Sequence, residues 1–536
     1  MSTNVFMQSD ETGRPGGDFA LSKNPTTGED IGRYALHTPE DVREAVMEAR
    51  EAQKEWAALP VKERARALFK VRDYIIDNAV GLAQIIYMDN GKTRTEAMVA
   101  EVFGAVAHID YLAKNAKRLL KEYTLKPSNL LLAYKRSTMI RVPFGVIGII
   151  SPWNYPFTIP MVEIAMALMA GNAVVVKVAS ETLATGKAID LCMKAGDLPE
   201  GLFQYVNLPG RVAGDAFFDA GVDKLFFTGS VGVGKYLMKK ASETLTPLSL
   251  ELGGNDPMLV CPDADVYRAA SGAVWAGLTN CGQTCASVER IYVHKDVYGP
   301  FVDTLSGMVT SLRVGPDEDF SSDICAMTTK SQMEVVESHI QDAVEKGATI
   351  QARSTCPKDG SGNFLSAVML TNVNHDMLVM QDETFGPVLA VMKVDDMEEA
   401  ITLANDSYLG LTASVWSKNR KKAMAYARRI QAGVVMVNDH MMSNGLPETP
   451  WGGFKQSGIG RTHGELGFAE MTQPVCLVND YLVGAKRNMW WFPQSKSVYD
   501  GILGMMHMLY SKNVFKRLVG MLKLNKLFLR TFTRKD

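Results

Sequence analysis

Val146-Ile147-Gly148-Ile149-Ile150 is a continuous apolar run opened by Gly145, and it reads as a strand buried on both faces of a parallel sheet. The alternation then repeats. A helix is expected over residues 160–170, a strand over 172–178, a helix over 181–195, and strands over 202–206 and 224–227. This pattern predicts a doubly wound α/β sheet whose ligand lies beyond the carboxyl ends of the strands, where Asn154, Lys177 and Gly229 fall. Residues 256–438 alternate again, from a strand at 258–260 and a helix at 264–278 to a strand at 413–416, which predicts a second α/β domain. Upstream, helical spacing over 40–59, 61–78, 82–87 and 97–120 predicts a helical layer. Shorter alternating runs between 122 and 142, such as Leu130-Leu131-Leu132-Ala133-Tyr134, suit a protruding hairpin. The first two dozen residues, polar and Gly-rich, suit an extended arm.

At 536 residues, 46% hydrophobic and 22% charged, the chain is long enough for two or three packed domains. A net charge of −2 gives no overall bias toward nucleic acid. The imbalance sits in residues 486–536, where eleven lysines and arginines face two aspartates. Seven scattered cysteines, and an N-terminus Met-Ser-Thr-Asn-Val-Phe without a basic region and apolar core, point to a reducing cytoplasm. No run of about 18 uncharged apolar residues suggests a spanning helix.

Chemistry concentrates around Thr279-Asn280-Cys281-Gly282-Gln283-Thr284-Cys285. A zinc site needs four N or S ligands, and no second Cys or His pair follows at a matching spacing. Cys285 is therefore a candidate nucleophile, on a turn expected to feed a helix whose N–H dipoles favour the thiolate. Cys281 is assigned to packing. In Leu250-Glu251-Leu252-Gly253-Gly254-Asn255 an acid sits among apolar residues, which raises its pKa and suits a general base. In Ser151-Pro152-Trp153-Asn154-Tyr155-Pro156 a single amide stands among rigid residues and suits an oxyanion donor. Each feature alone also fits a structural residue; together they fit thiol chemistry on a carbonyl. The eight histidines show no metal-ligand spacing, so no metal site is expected. For His440 a substrate contact and an ordinary loop role both stand.

Six ordered motifs extend this reading: Pro152-Trp153-Asn154, Phe227-Thr228-Gly229-Ser230, Glu251-Leu252-Gly253-Gly254, Gly282-Gln283-Thr284-Cys285, Glu383-Thr384-Phe385-Gly386-Pro387-Val388, and Pro450-Trp451-Gly452-Gly453-Phe454-Lys455-Gln456-Ser457-Gly458. On these the chain resembles the aldehyde dehydrogenase superfamily over residues 24–480. The resemblance implies two doubly wound α/β domains plus a small oligomerisation hairpin and a helical C-terminal tail. Residues 1–121 and 142–252 would bind the dinucleotide, and 253–455 would be catalytic. Residues 122–141 and 456–485 would bridge subunits of a homodimer or homotetramer, and 486–536 would form the tail. It further implies that the Cys285 thiolate attacks an aldehyde, Asn154 and the Cys285 N–H hold the oxyanion, hydride leaves to a nicotinamide, and Glu251 activates the water that hydrolyses the thioester. The presence of Glu251 favours hydrolysis over transfer to coenzyme A.

Phe226-Phe227-Thr228-Gly229-Ser230-Val231-Gly232-Val233-Gly234 does not match Gly-x-Gly-x-x-Gly, so spacing alone gives a Gly-rich turn at a helix start. The resemblance assigns Gly229, Ser230 and Gly234 to the dinucleotide, with Trp153, Lys177, Glu383 and Phe385. Family members preferring NAD generally carry a glutamate three residues after the lysine; here that position is Ser180, and Val178 stands where proline is usual. Losing that charge removes a repulsion for a 2′-phosphate, which points to NADP or to use of both dinucleotides; the adjacent Glu181 keeps NAD open. The loop Met441-Met442-Ser443-Asn444-Gly445-Leu446 offers no cation for a substrate carboxylate. In the tail, Trp490-Trp491-Phe492 and the apolar-basic stretch 512–530, including Lys516, Arg517, Lys523, Lys526 and Arg530, suit a helix on an anionic membrane surface or one packed on a partner subunit. The expectation is a cytoplasmic enzyme, in contact with a membrane's inner face if the tail binds lipid, resembling fatty aldehyde dehydrogenases that act on medium- to long-chain aldehydes. Oxidation of a short semialdehyde or aromatic aldehyde is the alternative. Cofactor-independent thiol hydrolysis or acyl transfer would leave Lys177, Gly229 and Glu383 without purpose.

Overall fold

Strand Val146–Ile150 lies inside a six-stranded sheet, with every one of its residues buried. The computed structural model describes Phe6 and residues 18–357 and 362–534, so the start of the expected arm lies outside the described residues. From Phe19 that arm is a strand, Phe19–Lys23, paired antiparallel with Asp30–Ala35. In the six-stranded sheet the order is Gly458–Ile459, Leu248–Glu251, Lys224–Thr228, Val146–Ile150, Ala173–Lys177, Phe203–Tyr205, parallel except for the first. The winding direction reverses between Val146–Ile150 and Lys224–Thr228, so the loops leaving these two strands splay apart and open a crevice. Those loops carry Trp153-Asn154 and Gly229-Ser230.

Local chemistry explains the helices beside this sheet. Helix Pro39–Ala58 starts with a Thr38/Asp41 capping box and proline in its first turn. Helix Thr158–Ala170 is buried on nearly all sides and ends at Gly171, whose φ of 99° is the left-handed value a helix stop uses. Helix Val231–Thr244 is capped by Ser230, whose hydroxyl accepts from the Val233 N–H. Residues 97–120, expected as one helix, divide into a π-helical segment, Ala97–Phe103, and helix Gly104–Leu119.

The second sheet has seven strands in the order Thr349–Arg353, Val368–Thr371, Val388–Val394, Val288–His294, Asp256–Val260, Thr412–Trp416, Val434–Val437. Only the first runs antiparallel to its neighbour. Each sheet has its own apolar core, one built around Val146–Ile150 and one around Met258–Val260. Cys285 precedes strand Val288–His294, and Glu383 and Phe385 precede Val388–Val394. The first sheet thus offers carboxyl-end loops to the site, while the second offers amino-end loops.

Residues 121–141 and 474–536 form a separate compact unit. Its sheet has the order Thr472–Asp480, Lys135–Pro143, Tyr123–Thr124. The run expected to continue the hairpin instead forms a 3-10 turn, Leu130–Leu132, because Leu131 and Tyr134 pack with Met489, Val498, Leu524 and Leu527 of the tail. The tail is a hairpin of helices Lys496–Tyr510 and Val514–Arg530. They touch backbone to backbone: a Cβ on Gly520 would lie 2.3 Å from the Gly504 carbonyl oxygen. Arg530 does not join the expected basic face. It is buried and donates to the carbonyls of Met489, Trp491 and Pro493. No helix among the described residues is long and apolar enough to cross a membrane.

Candidate active site

Helix Val266–Leu278 ends against a 3-10 turn, Thr279–Gly282, in which Asn280 and Cys281 take φ of 51° and 56°. Each left-handed non-glycine residue costs about 1–3 kcal/mol, so such a turn persists only where its surroundings over-determine it. Glu96 supplies part of that restraint, accepting from the Asn280 N–H at 2.6 Å and the Thr279 hydroxyl at 3.0 Å. The Asn280 amide donates to the carbonyls of Asn154 and Gln283 at 2.9 and 3.1 Å. Gln283 accepts from the Thr328 N–H, and Thr284 pairs with the Tyr155 hydroxyl at 2.8 Å. Gly282 has to be glycine: its φ is 72°, and a Cβ would sit 2.1 Å from the Gly386 oxygen.

Cys285 leaves this loop into strand Val288–His294, not into a helix. The expected helix-terminus dipoles are therefore absent. Burial pushes the thiol up, and the nearby carboxyls of Glu383, Asp256 and Glu251 push it further. The thiol must then hand its proton to a neighbour before it can attack.

The Asn154 side chain donates to the Gln283 carbonyl at 3.1 Å, which uses one of its two amide hydrogens. Its backbone is held from below by Lys92, whose ammonium donates to the Asn154 carbonyl at 2.8 Å and to Glu101 at 2.6 Å. Lys92 and Glu101 are fully buried, and the ammonium lies 3.9 Å from the Tyr155 ring centre. The second Glu101 oxygen accepts from the N–H groups of Phe157 and Thr158, at the start of helix Thr158–Ala170. Sequence reasoning missed Lys92, Glu96 and Glu101. The Thr93-x-x-Glu96 box was a readable helix-start signal, but nothing in the spacing told that Glu96 would also hold the cysteine loop.

Glu251 ends strand Leu248–Glu251, buried, and neither of its oxygens has a hydrogen-bond partner among the described residues. Burial raises its pKa well above the carboxylate range; Arg461 opposes the shift, and Glu163 and Glu470 add to it. Glu383 accepts from the Gly254 N–H at 3.0 Å, and a Cβ at Gly253 would lie 2.2 Å from its other oxygen. A Cβ at Gly254 would lie 2.4 Å from the Cys285 carbonyl oxygen. The glycine pair after Glu251 thus lets Glu383 and Cys285 fold over the same strand end. Phe385, held by its N–H to Glu289 at 2.8 Å, meets Trp153 edge-on at 5.4 Å.

Three cavities meet at Cys285. A crevice of about 240 Å³ gathers Trp153, Asn154, Gly229, Ser230, Glu251, Glu383 and Phe385 with the thiol. Lys177, Ser180 and Gly234 do not line it. Lys177 is buried at the end of its strand, its ammonium 3.8 Å from where a Gly210 Cβ would be; burial lowers its pKa and exposed Glu181 opposes that. Ser180, three residues further along the chain, is half-buried. Gly234 serves packing, since a Cβ there would press on Leu252 at 2.8 Å. A tunnel of about 160 Å³ reaches the sulfur between Val99, Phe103, Ile159, Trp275, Met441 and Met442. A smaller chamber of about 40 Å³ lies by Glu163, Glu251, Thr462 and His463. His440 reaches none of the three. It is buried, bonded to Ser414 at 2.8 Å and to the Ala286 carbonyl at 3.1 Å, and burial lowers its pKa to about 4, so it props the loop as a neutral ring.

Two doubly wound layers closing on a cysteine, with an amide beside it and carboxyls around it, define an α/β thiol enzyme built on a nucleotide-type crevice. The Aldehyde dehydrogenase family model matches residues 16–476, and the chain belongs to that family. It is 37% identical over 491 residues, 91% of each chain, to a 4,4′-diapolycopene aldehyde oxidase of Methylomonas. A protein of Mycobacterium ulcerans named as an NADP(+) succinate-semialdehyde dehydrogenase is 38% identical over 83% of this chain and 86% of its own. The NAD+ complex of an aldehyde dehydrogenase from Bacillus cereus superimposes with a TM-score of 0.82 at 31% identity, covering 87% of this chain and 94% of that one. The chain is accordingly an NAD(P)-dependent enzyme that oxidises aldehydes.

Proposed function

We propose that the chain oxidises medium- to long-chain aliphatic aldehydes to carboxylic acids, and the character of the tunnel carries that reading. Its lining includes Val99, Phe103, Ile159, Trp275, Met441 and Met442 and no lysine or arginine. A substrate ending in a carboxylate would leave its charge against apolar walls, at a cost of several kcal/mol. An alkyl chain instead gains roughly 0.8 kcal/mol for each methylene it buries. The match to the diapolycopene aldehyde oxidase supports a hydrophobic substrate further. It covers 91% of a chain in which only 15 residues precede the family region, so it extends past residue 476 into the tail.

The chain's own groups divide the work. Glu251 takes the Cys285 proton, the sulfur bonds to the carbonyl carbon, and the electron pair moves to oxygen. There the free Asn154 amide hydrogen and the Cys285 backbone N–H hold the charge. The residues at the crevice fit a nicotinamide dinucleotide: Ser230 caps a helix whose first turn is open at Gly232, where a Cβ would meet nothing within 4 Å, leaving N–H groups for a pyrophosphate. When bound, that cofactor accepts the hydride leaving the substrate carbon. Cys285 then carries a thioester; Glu251, having first released the cysteine's proton to solvent water, deprotonates the water that attacks it, the C–S bond breaks and the sulfur departs as thiolate. Ser180 beside Lys177 brings no carboxylate to a 2′-phosphate, which supports NADP or use of both cofactors.

Two surfaces support finer readings. Strand Thr472–Asp480 is an edge strand with Leu477 and Val478 exposed, which suits pairing with a second copy in a homodimer or homotetramer. The tail hairpin exposes Phe515 by 74% and Leu522 by 68% beside Lys516, Lys523 and Lys526, a combination that suits an anionic membrane surface. The test follows NAD(P)H absorbance with hexanal, decanal, hexadecanal and succinate semialdehyde. kcat/KM is expected to climb with chain length; succinate semialdehyde outperforming decanal overturns the reading.

A further inference from the structure

Helix Thr158–Ala170 is apolar except for a single acid, Glu163, which is only 2% exposed. One of its oxygens is 3.4 Å from the Thr228 hydroxyl, and Oε2 has no partner among the described residues. Among the described residues no cation pairs with it. Arg461 spends its guanidinium on the carbonyls of Gly453 and Gly460, and Lys224 is paired with Glu470. A carboxyl in such a place costs stability, and an apolar residue would pack there at no cost.

Its surroundings give the acid a purpose. Thr228, whose hydroxyl reaches Glu163, lies directly opposite Glu251 in the pairing of their strands. Glu163 and Glu251 both line the chamber beside Cys285, together with His463, whose Nδ1 also lacks a partner among the described residues. The chamber's roughly 40 Å³ exceeds the ~10–15 Å³ that a water needs, and the orphaned atoms are partners a water there would use.

Resting on the thioester reading above, we propose that Glu163 is the proton acceptor for Glu251, receiving through the chamber's water the proton that Glu251 takes from the hydrolytic water. Protons and bonds balance. Water gives its proton to the Glu251 carboxylate and its oxygen to the acyl carbon, the C–S bond breaks, and sulfur leaves as thiolate. Glu251 then passes the proton to ionised Glu163, which releases it along the water to solvent, and both carboxylates are restored.

The neighbouring charges are consistent with this. Burial raises Glu163 to about 8, so both its forms are populated near neutral pH. Glu251 is its acidic neighbour across the chamber, with Arg461 and Cys285 beside Glu251. From helix Gly464–Glu470 comes Glu470, already paired; His463, just before it, and His108 of helix Gly104–Leu119 stack at 4.5 Å and are both held neutral by burial. Glu101 is neutralised by Lys92, and Arg64 lies at the far end of the helix beside Gly171. Glu163 and Glu251 are therefore the two acids facing the chamber, both raised by burial.

Glu163→Gln tests the idea in the full-length enzyme. The first-turnover burst of NAD(P)H should keep its amplitude. Steady-state kcat at pH 9 should fall about a hundredfold, the lower end of what acid–base assistance contributes. The kcat–pH profile should lose one of its two ionisations, and Glu163→Asp should restore it. Thermal melting separates a packing role. A carboxyl whose folded pKa is raised weakens the fold as pH climbs from its unfolded value near 4.5 toward 8, so the glutamine variant should melt no lower than wild type at pH 9. An unchanged pH profile, or parallel loss of burst and steady state with a lowered melting temperature, overturns the relay. A wild-type enzyme without a burst would overturn the thioester reading instead, so the two failures are distinguishable.

Discussion

On one side of Cys285 the walls are Phe103, Trp275, Met441 and Met442; on the other they are Glu163, Glu251 and His463. The tunnel removes water from the carbonyl being attacked and selects by apolar contact. The chamber does the reverse, presenting polar atoms without partners among the described residues to the side of Cys285 where water must attack. Capture and release of the acyl group can therefore be altered separately, except through the Asn154 loop of the neighbouring crevice, which Lys92 and Glu101 hold.

The largest effect is expected at Glu251, which the chamber shares with the crevice. Glu251→Gln should lower steady-state turnover by about 10²–10⁴-fold, the usual worth of a general base, while single-turnover absorbance still reports hydride release when the thiol is pre-ionised at high pH. Equal loss of both phases at every pH would take Glu251 out of hydrolysis. Disturbing the support of the Asn154 loop comes next. Lys92→Met leaves a buried carboxylate without its cation, at about 3–5 kcal/mol, read as a lowered urea midpoint together with loss of burst and steady state alike. Stability within 1 kcal/mol of wild type, a figure well below that range, would show the pair is dispensable.

A change confined to the tunnel should move specificity and spare hydrolysis. Met441→Lys brings an ammonium to the apolar wall, and decanal kcat/KM should drop by about 10–200-fold while succinate semialdehyde gains. The comparison fails if both substrates lose equally. Smallest is Ser180→Glu, remote from both cavities. Restoring a carboxylate beside Lys177 should shift the NADP-to-NAD preference by about tenfold, or ~1.4 kcal/mol, leaving burst and chain-length dependence intact. An unchanged ratio would remove Ser180 from cofactor choice.

Much of this architecture was legible in the chain. The runs 146–150, 172–178 and 224–227 became parallel strands because unbroken β-branched and aromatic stretches can be satisfied only between two covered faces. Cys285, Glu251 and Asn154, expected to work together, do line a single crevice. Less legible were residues whose role depends on distant partners. Lys177 and Ser180 lie off that crevice, and Leu131 turned into the tail cluster where a hairpin strand was expected. Arg530, in a basic stretch, is buried against carbonyls of residues 489–493.

The thiol, the acid behind two glycines and the amide were set by residue type, because nucleophilicity, basicity and hydrogen-bond donation belong to side chains wherever they stand. Their strength was not. Whether Cys285 meets helix dipoles or carboxyls, and whether Glu163 meets a cation or an empty chamber, depends on which strands lie side by side. Electrostatic energy follows distance and burial, and only the folded chain has those.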